Sequence, residues 1–197
     1  LVLPFYSRNF KDVTQWSSRI ARNQLMPTIL SLLPDFIRVP PGDGLRRTLR
    51  LTADKVESQG LDLSRALGTS QKGLVWAGVS EGEPIDHSKR MRTMSRERST
   101  VVQVTNLGIT VKDSPQNTLV FVTRLDTGTA VAGARVSLID RDNHVRWEET
   151  TGVDGTVIAP GSPPAKFWDF EFMVTAEKDG DIAYLGSDWH EGIGPYD

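Results

Sequence analysis

FVTRLDTGTAVAGARVSLID, residues Phe121–Asp140, has the clearest strand pattern in the sequence. It opens with β-branched and aromatic residues, passes through a glycine-containing turn, and closes with alternating apolar and polar residues from Ala134 to Ile139. A period of two places successive side chains on opposite faces of a strand, so the stretch is predicted to be strand, turn and strand. Working outward, residues Val101 to Leu185 are predicted to form one immunoglobulin-like β-sandwich.

Short strands separated by turn clusters extend this pattern in both directions. The predicted strands of the second half are 101–105, 107–111, 118–125, 134–139, 145–151, 156–158, 170–176 and 182–185. Turn-forming residues separate these strands, and Asp154-Gly155 predicts a hairpin. Roughly seven or eight strands at this spacing are typical of a sandwich.

The first half has a weaker pattern, and a second, more degenerate β-sandwich is expected there. Its predicted elements are one or two strands in 5–20, a short helix or loop in 22–33, a strand in 45–51, a connector in 61–67 and a buried strand in 73–79. Pro27 and Pro34 limit any helix. The predicted fold class is therefore all-β, with two consecutive immunoglobulin-like domains.

Charge is distributed unevenly along the 197 residues, whose net charge is −2. Residues 1–98 hold 16 Lys and Arg against 10 Asp and Glu, a balance of +6; residues 99–197 hold 7 against 15, a balance of −8. Because the shift lies beside the basic stretch Lys89–Arg98, two domains are predicted, 1–98 and 99–197. Both have the size of a small sandwich domain.

Absent residue types limit the possible functions. The sequence has no cysteine, which excludes disulfides, thiol catalysis and Cys-ligated zinc within it. No apolar run approaches the ~18 residues of a membrane-spanning helix, so no direct membrane contact is expected. No cofactor is expected, because neither a phosphate-binding loop nor a dinucleotide fingerprint is present. Since Leu1 is not an initiator residue, the sequence is expected to be a piece of a longer protein.

Four segments of the second half match, in order and spacing, a pattern found in one known family. They are Val104–Lys112, Phe121–Asp140, Thr151–Thr156 and Glu177–Leu185. These segments resemble the entry strand, the strand–"tGxxVxGAxV"–strand unit, the "T-D-x-x-G" turn and the closing hairpin of macroglobulin-like domains in bacterial α2-macroglobulins. The first half is similar to the preceding macroglobulin-like domain more loosely, through Arg19–Leu25, Leu61–Leu63 and Lys72–Val75, with Val75 where the family often has Tyr.

The resemblance implies a role in a broad-spectrum protease trap. In that family a protease cuts a bait segment, the molecule collapses, and in many members a Cys–Gln thioester captures the attacker. Without cysteine, this sequence carries no thioester residue. The implied role is a non-catalytic framework of a protease inhibitor, exported to the periplasm or cell envelope, with the longer protein tethered to the inner membrane. The implied partners are neighbouring macroglobulin-like domains, target proteases and a cell-wall synthase.

One pattern suggests an enzyme instead. Gly78–Gly82 matches the G-x-S-x-G pattern of a nucleophile elbow, in which Ser80 would be the nucleophile and His87 a candidate base. An elbow requires a helix after the serine, and Glu83–His87 does not resemble a helix start. Ser80 is therefore interpreted as part of a strand-ending turn, and no catalytic residue is predicted.

Two clusters offer possible metal ligands. Asp140–His144 begins like a calcium loop but has His144 and Val145 where an EF-hand wants Asp or Asn and then Gly, so a hairpin turn is favoured. Asp188–Glu191 places ligand types side by side, a spacing that does not direct them at one ion. No metal site is predicted.

Two further features suggest binding. The basic stretch Lys89–Arg98 lacks the interleaved aromatic residues or known fold of a nucleic-acid reader, so a solvated linker or an interdomain contact is favoured and no nucleic acid is expected. Five tryptophans could stack on a carbohydrate: Trp16, Trp76, Trp147, Trp168 and Trp189. Trp76, Trp147 and Trp168 are more simply explained by packing in or beside strands, whereas the sequence does not decide between the two roles for Trp16 and Trp189. The alternative function is an immunoglobulin-like adhesin or surface-binding module.

Overall fold

The structure is a computed structural model that describes residues 1–32, 39–81, 98–161 and 172–187. The chain divides into two compact units, Leu1–Val104 and Thr105–Asp197. Both consist mainly of antiparallel strands, so the predicted all-β class is confirmed. Within the described ranges, no helix is both long and apolar enough to cross a membrane.

The first unit contains a two-stranded sheet and a four-stranded sheet. Its elements are β1 (Val2–Arg8), β2 (Asp12–Ile20), α1 (Arg22–Ser31), β3 (Leu45–Thr48), β4 (Val56–Asp62), α2 (Ser64–Leu67), a 3₁₀ turn (Gly68–Ser70), β5 (Gly73–Glu81) and β6 (Arg98–Val104). β1 pairs with β4, and the larger sheet has the order β3-β2-β5-β6. Every described pairing in this unit is antiparallel.

A core lies under one face of the central strand β5. Val75 and Ala77 point to the same side of the strand and are almost completely buried, together with Leu61, Leu63 and Leu67. A fully buried aliphatic side chain contributes about 1.5–3 kcal/mol, so this small cluster accounts for much of the packing between β4, α2 and β5.

The opposite face of the same sheet is also covered. Helix α1 contributes Leu25 and Met26, both 0% exposed. Gly44 also lies close to the sheet, because a Cβ built at this position would be 2.6 Å from the Trp16 ring. Buried residues on both faces explain why β5 is a nearly continuous apolar run rather than a cleanly alternating one.

The second unit is a sandwich of three strands on four. Its elements are β7 (Leu107–Asp113), β8 (Asn117–Arg124), β9 (Arg135–Asp140), β10 (Val145–Thr150), β11 (Thr156–Pro160), β12 (Phe172–Lys178) and β13 (Asp181–Gly186). The sheets have the orders β11-β8-β7 and β10-β9-β12-β13. Their facing side chains form one core whose buried members include Val120, Val122, Val136, Leu138 and Val174.

Most strands lie where the sequence predicts them; one strand was not predicted, one open alternative is decided and one turn differs. β4 is an additional strand: its sequence VESQGLD is polar because its outward side chains are exposed. The helix alternative is correct for Arg22–Ser31 even though Pro27 lies inside it. The predicted hairpin at Asp154-Gly155 is wrong, because β10 pairs with β9 while β11 pairs with β8, so the turn carries the chain between sheets.

The division between the units lies at Val104/Thr105 rather than near residue 98. β6 belongs to the first unit because it pairs with β5 from Gly73↔Val104 to Val79↔Arg98. Residues Val101–Val104, which the sequence pattern places in the second sandwich, therefore complete the sheet of the first.

Candidate functional site

Ser80 lies inside β5, paired with Thr14 of β2, and is 2% exposed. The structure describes β5 as far as Glu81, so the residues after it, including His87, lie outside the described residues. A side chain this deeply buried does not present its hydroxyl to a substrate at the surface. The geometry around Ser80 is therefore that of a strand residue and not of an elbow nucleophile.

Asp140, Asp142 and His144 bring their ligand atoms within 4.8 Å of one another at the turn between β9 and β10. The Asp140 carboxylate is already engaged, because it accepts the His144 backbone N–H at 2.8 Å and pairs with the Arg146 guanidinium. The Arg146 cation would repel a metal ion at the same oxygen. Asn143 adopts a left-handed φ of 65° and donates its N–H to the Asp140 carbonyl at 2.9 Å, as in a hairpin turn.

Opposing effects act on the pKa of Asp140. Partial burial raises the pKa, whereas the hydrogen bond from the His144 N–H and the interaction with Arg146 lower it. The result is a pKa below the ordinary value for aspartate. The carboxylate is thus held ionised by the turn that it stabilises, which gives it a local structural role.

Other candidate residues fall outside the described part of the chain. They are His87, the basic stretch 89–97, Trp168 and the ligand cluster 188–191. Arg98 is the first residue of β6. Trp147 packs against the second core, as the packing interpretation expects. Trp16, for which the sequence favoured neither role, is 5% exposed and therefore buried.

Trp76 is half-buried and lines a groove of about 320 Å³ in the first unit. The groove runs between β2 and α1, whose Asn23, Gln24 and Thr28 contribute polar walls. Thr28 is occupied locally, since its hydroxyl donates to the Gln24 carbonyl at 2.7 Å. The indole N–H of Trp76 has no hydrogen-bond partner among the described residues, and it is enclosed rather than directed into the groove.

A buried hydroxyl in the second unit bonds to the segment that leads into β9. Thr151, which is 5% exposed, donates its hydroxyl to the Val131 carbonyl and accepts the Ala134 N–H at 2.9 Å. The Thr151 N–H donates to the Ala134 carbonyl at 2.9 Å, and the Thr151 carbonyl accepts the Gly133 N–H at 2.9 Å. The Thr151 clamp, as we call these four bonds, fixes the end of β10 to the start of β9.

The turn after Thr151 is fitted against β8. Gly155 has φ of 76°, and a Cβ at this position would lie 2.7 Å from the Val122 carbonyl oxygen, so glycine is required. Asp154 accepts the Thr156 backbone N–H at 3.0 Å and the Thr156 hydroxyl at 2.8 Å. These two bonds lower the pKa of Asp154 below its ordinary value, against a small opposing effect of burial.

The entrance to the second unit is fixed at Asn106. Its backbone N–H donates to the Asp181 carboxylate at 3.0 Å, its carbonyl accepts the Leu125 N–H at 2.9 Å, and its side-chain oxygen accepts the Asp126 N–H at 3.0 Å. Sequence reasoning did not single out Asn106 or Asp181. The only local signal is an Asn at a break between two strands, a residue that suits turns.

Residues 104–197 match the family model described as the bacterial alpha-2-macroglobulin MG3 domain. A protein of Yersinia pestis described as an alpha-2-macroglobulin homolog is 29% identical over an alignment of 143 residues, and the match covers 66% of this chain and 7% of the relative. The chain therefore spans a small part of the length of the curated relative that it matches.

Solved structures with a similar fold come from the same group of proteins. A crystal structure of Escherichia coli alpha-2-macroglobulin spanning domains NIE-MG1 covers 94% of this chain and 88% of its own, with a TM-score of 0.66 and 18% identity. A longer one, spanning MG0-NIE-MG1, covers 94% and 58%, with a TM-score of 0.63 and 20% identity. A Salmonella alpha-2-macroglobulin reacted with methylamine covers 94% and 10%, with a TM-score of 0.60 and 17% identity.

Proposed function

Because residues 104–197 match the model of the MG3 domain of bacterial alpha-2-macroglobulins, we propose that this chain is a framework segment of a broad-spectrum protease inhibitor of that family. The family recognised from the sequence is thereby confirmed. So is a non-enzymatic role, since macroglobulin-like domains of this family are framework domains.

The match of residues 104–197 to the family model is the observation that carries the proposal. The geometry supports it, because the polar groups of the quoted motifs are used to hold backbone. Thr151 bonds to Val131 and Ala134, Asp154 bonds to Thr156, and Asn106 bonds to Asp181. A framework needs this kind of fixed loop more than it needs an exposed reactive group.

The first unit is proposed to be a second macroglobulin-like domain. It has its own core around Leu63, Leu67 and Val75, and the similarity of fold to the NIE-MG1 structure extends over 94% of the chain. Its partners in the longer protein would be adjacent domains of the same family, as in the structure spanning MG0-NIE-MG1.

The longer protein would act on target proteases, and these two domains would hold its bait segment in place. When the bait is cut, packed domains of this kind would transmit the collapse as rigid bodies. Covalent capture would depend on residues elsewhere, because these 197 residues contain no cysteine. We further propose an exported protein in the periplasm or cell envelope, tethered to the inner membrane, with a cell-wall synthase as an additional partner.

The proposal is tested by incubating the longer protein with several endopeptidases and measuring cleavage of two substrates. A trapped protease remains able to cut a small chromogenic peptide but is sterically kept from a large protein substrate. Loss of cleavage of the large substrate alone supports the proposal. Unchanged cleavage of both substrates would refute it, and binding to a surface ligand without inhibition would favour the adhesin alternative.

A further inference from the structure

The three-stranded sheet of the second unit has an unusual outward face. Side chains alternate along its strands, and Val120, Val122 and Val157 point into the core. The residues between them therefore point outward, and they include Leu119 and Phe121 on β8. A sheet face in contact with water normally carries polar side chains, so apolar residues here require an explanation.

The register brings these apolar residues together. Ile158 of β11 is 61% exposed and lies directly opposite Leu119, while Thr156 lies opposite Phe121. Leu125, which is 62% exposed, lies over β7, because a Cβ built at Gly108 of that strand would be 2.9 Å from the Leu125 Cδ2 atom. We call the outward surface formed by Leu119, Phe121, Leu125 and Ile158 the three-strand face.

Charge is nearly absent from this surface. Lys112 on β7 is opposite Leu119 and is the one charged residue among the outward positions of the three described strands. The other sheet differs, since Arg135 and Glu177 pair across its strands at 2.8 Å. Contiguous exposed apolar side chains with a polar rim are typical of an interaction surface.

We propose that the three-strand face docks another domain of the same polypeptide, through an apolar patch and a carboxylate opposite Lys112. This inference rests on the proposed function, in which the chain is one segment of a multidomain framework. The match covers only 7% of the curated relative, so most of that protein consists of residues outside the matched segment. Those residues are enough to form many further domains.

A covalently attached partner suits the small size of the surface. Stable complexes between separate molecules bury roughly 800 Å² on each partner, which is more than four half-exposed or exposed side chains supply. A partner on the same chain has an effective concentration in the millimolar range, so a weaker contact is sufficient. The geometry therefore favours an intramolecular neighbour over a second copy of the chain.

The absence of cysteine from these 197 residues allows a direct test by thiol labelling. Ile158→Cys places a thiol on the three-strand face, and Val153→Cys places one in the turn before β11, where the native residue is 94% exposed. Both variants are made in the 197-residue chain and in the longer protein. Maleimide labelling rates are measured at each position, with the modified peptide identified by mass spectrometry.

Docking predicts that the thiol of the Ile158→Cys variant reacts about tenfold more slowly in the longer protein than in the 197-residue chain, because the site is covered most of the time. The thiol of the Val153→Cys variant should react at the same rate in both. Equal rates for the thiol at position 158 would overturn the proposal. So would slow labelling at position 158 in the 197-residue chain that becomes faster on dilution, because a second copy would then be the occupant.

The test is independent of protease inhibition. Protection of the thiol at position 158 in a longer protein that fails to inhibit any endopeptidase would support the docking surface while refuting the proposed function. Inhibition of endopeptidases with an unprotected thiol at that position would support the proposed function while refuting the docking surface.

Discussion

At the scale of single residues, the second unit depends on a few buried polar groups that connect distant parts of the chain. The Thr151 hydroxyl satisfies one carbonyl and one N–H that are otherwise enclosed by the core. Asn106 and Asp181 are 75 positions apart and meet at the entrance to the unit. Their roles could not be predicted from local sequence, because each is determined by a partner that only the fold brings near.

Replacing Thr151 by Val should lower the free energy of unfolding of the second unit by about 2–6 kcal/mol. Valine keeps the shape but leaves the Val131 carbonyl and the Ala134 N–H without their bonds, and each unpaired buried group costs about 1–3 kcal/mol. Urea unfolding followed by the amide signals of β8 measures the change. Thr127→Val is the matched control: Thr127 is exposed, and its loss should cost within about 0.5 kcal/mol. Equal effects of the two changes would contradict the role given to the Thr151 clamp.

At the scale of elements, the strands of the second unit were predictable because alternation and turn residues agree there. The hairpin prediction at Asp154-Gly155 failed for a physical reason: the same dipeptide suits any turn that needs a positive φ, and the pairing partners of β10 and β11 are set elsewhere. β4 was missed because only one of its side chains, Leu61, is buried, which leaves little alternation to detect.

The turn between β10 and β11 should lose stability in acid. The pKa of Asp154 is lowered in the folded state, so its contribution is present above the unfolded pKa of about 4 and is lost as pH falls through the folded value. Asp154→Asn should therefore destabilise the second unit near pH 7, and the difference from the unmodified protein should shrink as the pH is lowered below about 4. Urea unfolding at a series of pH values measures it. A difference that stays constant with pH would show that the carboxylate charge does not matter.

At the scale of the whole molecule, the two units have separate cores, Leu61, Leu63, Leu67, Val75 and Ala77 in one and the larger cluster around Val120 in the other. The charge shift along the sequence lies a few residues before the division between the units. The charge shift could not reveal that β6 completes the first sheet. Pairing between strands, such as that of Val75 with Val102, cannot be read from amino-acid composition.

Leu63→Ala and Leu107→Ala test the separation of the cores. The two side chains are 1% and 2% exposed, and truncation of a buried leucine costs about 2–5 kcal/mol. Hydrogen exchange should show that Leu63→Ala accelerates opening of strands in the first unit and Leu107→Ala in the second. Each variant is the control for the other. Parallel acceleration in both units by either change would mean that they unfold together.

The crossing from β10 to β11 also affects how the second unit folds during synthesis. β9 is paired with β12, as in Arg135↔Glu177, and β8 with β11, so neither sheet of the second unit is completed by neighbouring strands alone. Contacts between residues far apart in sequence form slowly, because a long loop must be closed before they can form. On the ribosome, β9 emerges well before its partner β12. During that interval one edge of β9 lacks its partner strand and the apolar side chains of the unit are incompletely covered, so the nascent chain is then most prone to aggregate.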